Sequence, residues 1–212
     1  MKYKSYVLFL SSASVLSLCG VEKISAQSMP GHPMHIEKST DAGKHIFLSM
    51  MDTMMVNMDA PKASGKVETD FYQQMLPHHQ GAIDMAKYEI AHGRDFEMIQ
   101  LAKSILAEQQ SESSQMWLWL KVPNRKENTS SDDFIKDMQS AMFGMMEHLP
   151  VNEGLKDIDR SFAAIMIPHH QAAVAMAKAV LKYGSNDDAL AFAKQIISNE
   201  QIEIEQMITY LQ

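Results

Sequence analysis

The chain reads as an all-α protein built from two tandem three-helix repeats, and three observations lead there. Laid against itself at an offset of 91 residues, it matches at 19 of 51 positions over 70–120 against 161–211 without a gap. Self-similarity at one fixed register marks a duplicated unit. Within each unit apolar residues recur at helical spacing, for instance Leu101, Ile105, Met116 and Leu120. No segment alternates polar and apolar residues as a half-buried strand would.

Residues 1–26 are expected to act before folding rather than in it. Lys2 and Lys4 form a short basic start, Tyr6 to Leu18 is a 13-residue mostly apolar run, and Ile24-Ser25-Ala26 offers a cleavage site. That layout is a secretory signal, and the run is too short for a membrane span. The protein is therefore expected in the periplasm or otherwise exported, with no membrane span. A lipid anchor at Cys19 is disfavoured because Leu18 before it is bulky.

The remaining chain divides into a Pro/Gly-punctuated Met/His tail (27–41), a first repeat (42–122), a polar linker (123–131) and a second repeat (132–212). The first helix of each unit is predicted over 42–57 and 132–148. The second is predicted over 68–92 and 157–183, with Gly93 and Gly184 directly after as stop signals. The third is predicted over 95–121 and 187–212.

Composition narrows the function. The chain carries 19 Lys+Arg against 26 Asp+Glu, a net −7. Removal of 1–26 leaves 16 basic and 25 acidic residues, or −9. Such a surface does not suit nucleic acid, whose phosphates need a basic face. The only Cys leaves with the signal, so no disulfide scaffold can form. What stays is unusual: all nine His and eighteen of the nineteen Met.

The segment Met75-Leu76-Pro77-His78-His79 recurs as Met166-Ile167-Pro168-His169-His170. On a helix Met75, His78 and His79 share one side, and Met85 follows two turns after His78; Met176 does the same for the second repeat. Ala82 and Ala86 on this stripe leave room for another helix, and Pro77 and Pro168 should kink the helix just before each pair. A lone buried His is usually a hydrogen-bonded core residue. Adjacent His pairs, repeated with Met upstream, point instead to metal ligands.

The first helices add thioether stripes: Met50, Met51, Met54, Met55 and Met58, then Met138, Met142, Met145 and Met146. Core packing is the bland account of such residues. The chemical account is that thioether and imidazole together suit Cu(I), with Cu(II) the alternative valence, whereas hard ions prefer oxygen. The tail holds Met29, His32, Met34 and His35 within seven residues, a candidate capture arm. Glu112 and Glu203 fall at equivalent places on the otherwise apolar stripe of the third helices. They are candidates to orient a metal-bound His from behind.

The pattern Met54-Met55, Phe71, Met75-x-x-His78-His79-x-x-Ala82-x-x-Met85, Gly93, Gln109-x-x-Glu112-x-x-x-Met116-x-x-Trp119-Leu120 resembles the exported helical family called domain of unknown function three hundred and five. The second repeat follows it through Met145-Met146, Phe162, Met166, His169-His170, Ala173, Met176, Glu203, Met207 and Tyr210-Leu211, with Glu200 in place of Gln and Tyr210 in place of Trp. The resemblance covers roughly 42 to 212. It implies a ferritin-like helical bundle and, through CopM-like members, copper binding.

The function expected is thus an exported, non-enzymatic copper-binding protein acting in sequestration, delivery or tolerance. Its partners would be copper ions and other exported copper-handling proteins. A zinc or di-iron metalloenzyme is the second reading. Di-iron bundles use two Glu-x-x-His motifs, whereas only Glu89-x-x-His92 occurs here, with Val180 and Tyr183 as its counterpart. On the copper reading Glu→Gln at 112 and 203 spares Cu(I) binding. A non-metal module gripping partner helices through Met-rich faces is the third reading.

Overall fold

The computed structural model describes residues 43–122 and 126–212. The signal segment 1–26, with Cys19, and the tail 27–41, with Met29, His32, Met34 and His35, lie outside the described residues. Six α-helices follow in order: α1 (Ile46–Met58), α2 (Val67–His92), α3 (Phe96–Leu120), α4 (Asp132–Glu147), α5 (Ile158–Tyr183) and α6 (Asp187–Leu211). Among the described residues there is no strand, only an isolated bridge between Lys66 and Thr129. The all-α class and the three-helix repeats hold.

Each start has a local cause. Gly43, at φ 134, cannot be helical, so α1 begins at Ile46 rather than at Ala42. The His45 ring accepts from the Phe47 amide there. Asp95, Ser131, Asp157 and Asn186 accept from the Met98, Phe134, Arg160 and Ala189 amides and so open α3, α4, α5 and α6. Lys66, before α2, has no such side chain. The linker supplies it instead: Glu127 Oε2 accepts from the amide and hydroxyl of Thr69 at 2.9 and 2.7 Å. The polar stretch read as a spacer is therefore partly a cap. Helices α2 and α5 continue through Pro77 and Pro168.

The long helices α2 and α5 pack against each other, with α3 on α2 and α6 on α5; α1 lies on α2 and touches α5, and α4 lies on α5. The described residues belong to one compact unit, so the two repeats share a single bundle. Phe47, Phe71, Phe134 and Phe162 are buried in its core together with twelve Met side chains. Each such burial stabilises the fold by about 1.5–3 kcal/mol.

The repeats are related by a local twofold, visible in two ways. Equivalent residues touch across it: the rings of His78 and His169 lie 3.8 Å apart, and Gln109 donates to Glu200 at 2.9 Å. Elsewhere contacts come in reciprocal pairs, as a twofold requires. Asp159 of α5 accepts from the Arg94 and Asp95 amides that precede α3, both at 2.8 Å. Its counterpart Glu68 of α2 accepts from the Ser185 and Asn186 amides that precede α6, at 2.6 and 2.9 Å. Each repeat thus closes the other's last loop.

These closures also correct the reading of two glycines. Gly93 and Gly184 sit at φ −64 and −73, not in the left-handed conformation of a helix-ending glycine. They are needed for space. An added Cβ at Gly93 would collide with the Glu89 carboxyl and lie 2.8 Å from Asp159 Oδ1; at Gly184 it would lie 2.7 Å from the Val180 carbonyl and 3.2 Å from Glu68.

Candidate metal centre

The periodicity that puts Met75, His78, His79, Ala82 and Met85 on one side of α2 turns that side into the bundle, and α5 does the same. His78, His79, His169 and His170 are all 0% exposed, as are Met75, Met85, Met166 and Met176. Four imidazoles at that depth should each satisfy both ring nitrogens. They do not. Nδ1 of all four, and Nε2 of His78 as well, have no hydrogen-bond partner.

The bonds that do exist fix where the ring protons are. His79 Nε2 lies 2.8 Å from Glu112 Oε2, and His170 Nε2 lies 2.9 Å from Glu203 Oε2. His169 Nε2 donates to the backbone carbonyl of His78 at 3.1 Å. Carboxylates and carbonyls only accept, so in all three rings Nε2 carries the hydrogen. In the neutral ring the lone pair is then on Nδ1, the atom left without a partner. An unpaired lone pair held in a dry core is what a soft metal ion requires of an imidazole ligand, and these residues fit one.

Burial sets the electrostatics. It pushes His78 well below the usual imidazole pKa of 6.5, helped by the neighbouring His79 and His170 rings. It lowers His169 well below as well, with His78 the next cause. In His170 burial acts the same way but is outweighed by Glu200, by the bond to Glu203 and by Glu108, so its pKa is raised. Proton competition for a metal therefore starts at lower pH at His78 and His169 than at His170. Glu200 is pushed up to about 8, first by burial and then by Glu112 and Glu203, against the pull of His170 and Gln109.

The thioether stripes divide. Met51, Met54, Met58, Met138 and Met145 are buried, Met50, Met55 and Met142 are half-buried, and Met146 is 40% exposed. Met54 sulfur lies against Gly81, one turn after His78, where an added Cβ would come within 2.8 Å. The structure thus brings an α1 thioether to the His-bearing helix and leaves Met146 facing outward. Among the described residues, no three His, Cys, Asp or Glu side chains converge as a metal-binding group. The Glu89-x-x-His92 motif separates: Glu89 is buried beside Gly93, while His92 is exposed, bonds the Tyr88 carbonyl and stacks on the Tyr88 ring.

Sequence reasoning missed Glu108, and named Gln109 and Glu200 only as positions of a pattern, without a role. Gln109 and Glu200 stand one turn before Glu112 and Glu203, and that spacing was the available signal. Their pairing across the twofold was not.

The model of the family "Domain of unknown function (DUF305)" matches residues 22–120 and, overlapping, 68–211. The chain belongs to the DUF305 family. A DUF305 fragment from Deinococcus radiodurans is 28% identical, with 71% of this chain and 98% of that one covered, at a TM-score of 0.50. CopM in a silver-bound form is 28% identical over 68% of this chain and 93% of CopM, at a TM-score of 0.52. CopM bound to Cu(I) is 28% identical over 68% and 94%, at 0.50, and CopM has also been solved with Cu(II) bound. No curated protein matches the DUF305 chain.

Proposed function

We propose that this DUF305 chain binds copper, as Cu(I) in preference to Cu(II), at the buried imidazole pairs, and that it serves in sequestration, delivery or tolerance outside the cytoplasm as a binding protein rather than an enzyme. The observation that carries the reading is the set of four fully buried Nδ1 atoms without partners. His78, His79, His169 and His170 are the principal ligands, and Met75, Met85, Met166 and Met176 are the thioethers on the same helix sides. Met51, Met54, Met55, Met58, Met142 and Met145 are secondary candidates, with Met54 lying against Gly81 of α2, whereas Met146 faces outward. Soft donors of this kind favour Cu(I), and CopM, a neighbour of the same fold, holds Cu(I), Cu(II) and silver in its solved forms. Export rests on the character of residues 1–26. No helix among the described residues is long and apolar enough to cross a membrane.

The test is a Cu(I) titration of the chain from Gln27 against a chromophoric competing chelator, beside a variant with His78, His79, His169 and His170 changed to Asn. Circular dichroism checks that the variant folds, and single changes replace it if it does not. Tight binding that is lost in the folded variants is the expected result. Tight binding that persists would move the site to the Met stripes or the tail. No binding against the competitor would overturn the copper reading.

A further inference from the structure

We infer that Glu112 and Glu203 are positioning residues that choose the ligand atom of His79 and His170 and the charge of the ion those rings accept. The inference rests on the copper reading above and deepens it.

The first half follows from hydrogen bonding alone. A neutral imidazole can carry its hydrogen on either nitrogen, and a free ring uses both arrangements. The carboxylates at 2.8 and 2.9 Å accept and cannot donate. They hold the hydrogen on Nε2 and leave the lone pair on Nδ1, the buried atom without a partner. The same bonds fix ring orientation and raise ligand basicity, which is how a carboxylate behind a metal-bound His acts. Glu112 and Glu203 are 1% and 5% exposed, so water cannot replace either acceptor.

The second half follows from charge. A cation taken into a dry core needs a counter-charge beside it. Each imidazole is bonded to one carboxylate and no more. At His79 carboxylate, neutral ring and monovalent ion sum to zero, whereas a divalent ion would leave one uncompensated positive charge at full burial. At His170 the carboxyls of Glu200 and Glu108 also act on the ring, so the match is looser there. Glu200, equally buried, is bonded through Oε1 to Gln109 and not to an imidazole. Charge matching therefore favours Cu(I) and Ag(I) over Cu(II) and Zn(II), in the same direction as ligand softness.

Two measurements separate the halves. Long-range proton–nitrogen NMR of the metal-free chain from Gln27 at pH 8 reads the tautomer of each ring directly. The expected result is Nε2–H at His79 and His170, retained in Glu112→Gln/Glu203→Gln, whose amide oxygens still accept, and lost in Glu112→Leu/Glu203→Leu. Titration with Ag(I), a redox-inert monovalent probe, should then show the Gln variant weakened by about 10- to 100-fold, with its preference over Zn(II) narrowed. Nδ1–H rings in the unaltered chain, or an unchanged tautomer in the Leu variant, would overturn the positioning role. Unaltered Ag(I) affinity and preference in the Gln variant would overturn the charge role. Failure of the unaltered chain to bind Ag(I) would overturn the copper reading itself, while the tautomer experiment would still decide the first half.

Discussion

In the first repeat Glu112 holds the ring of His79, and in the second Glu203 holds His170 at nearly the same distance. Away from those pairs the halves diverge. His169 spends its Nε2 hydrogen on the His78 carbonyl, while His78 has no return bond. Gln109 faces Glu200 across the axis, and Glu89 occupies the place that Val180 takes in the second half. The comparison separates two kinds of constraint. The imidazole–carboxylate unit is closed within one repeat, so it can be duplicated whole. Contacts on the twofold bring one position against its own copy, where two identical groups often cannot both be satisfied. A Gln facing a Glu resolves that conflict, and so does one carbonyl serving one ring.

The largest expected effect comes from breaking one closure and leaving the other. Asp159→Ala strands the Arg94 and Asp95 amides, and Glu68→Ala strands those of Ser185 and Asn186. Each should cost about 1–3 kcal/mol, the net worth of two hydrogen bonds to part-buried amides. Because each residue serves the other repeat, denaturant unfolding should remain a single transition in both variants. Two separate transitions would show that the halves fold independently.

A subtler asymmetry lies at Glu89, which is fully buried. Burial, then the Asp159 carboxyl beside it, raises its pKa from 4.5 to about 8. Being raised in the folded state, it contributes stability that is full below about pH 4.5 and is lost as pH climbs to about 8. Glu89→Val, which copies Val180, should flatten the stability profile across that window. An unchanged slope would place the titration elsewhere.

The smallest effect tests the outward end of a stripe. Met146 is 40% exposed, and Met146→Gln should change stability by less than about 0.5 kcal/mol and leave Cu(I) affinity as it was. A drop in affinity would place a metal-binding thioether on the surface of α4.

The duplication, the six helices and the His-bearing faces were legible in the amino-acid order because each depends on near neighbours along the chain. A period of 91 residues, a period of 3.6 and a polar cap need no knowledge of the fold. Glu112 and Glu203 were legible for the same reason, as charges interrupting an apolar stripe, although which ring they meet was not. The expectation that Glu→Gln there would spare Cu(I) binding now stands against the contact of each carboxylate with an imidazole, and the Ag(I) titration of the Gln variant decides between them. Gly93 and Gly184 look like helix-ending glycines in one dimension, and only the approach of Glu89, Asp159 and Glu68 shows that space is what they provide.

By itself, then, the sequence determined a duplicated all-α chain with soft metal-binding side chains on matched helix faces. The tertiary structure decided that the repeats form one bundle, and which nitrogen of His79, His169 and His170 carries the hydrogen. It also decided that Asp159 and Glu68 close each other's loops. The physical reason is range. Helical periodicity and capping act over a few residues, whereas a hydrogen bond between residues 33, 65 or 117 apart exists only after packing has excluded water and brought the two groups within 3 Å.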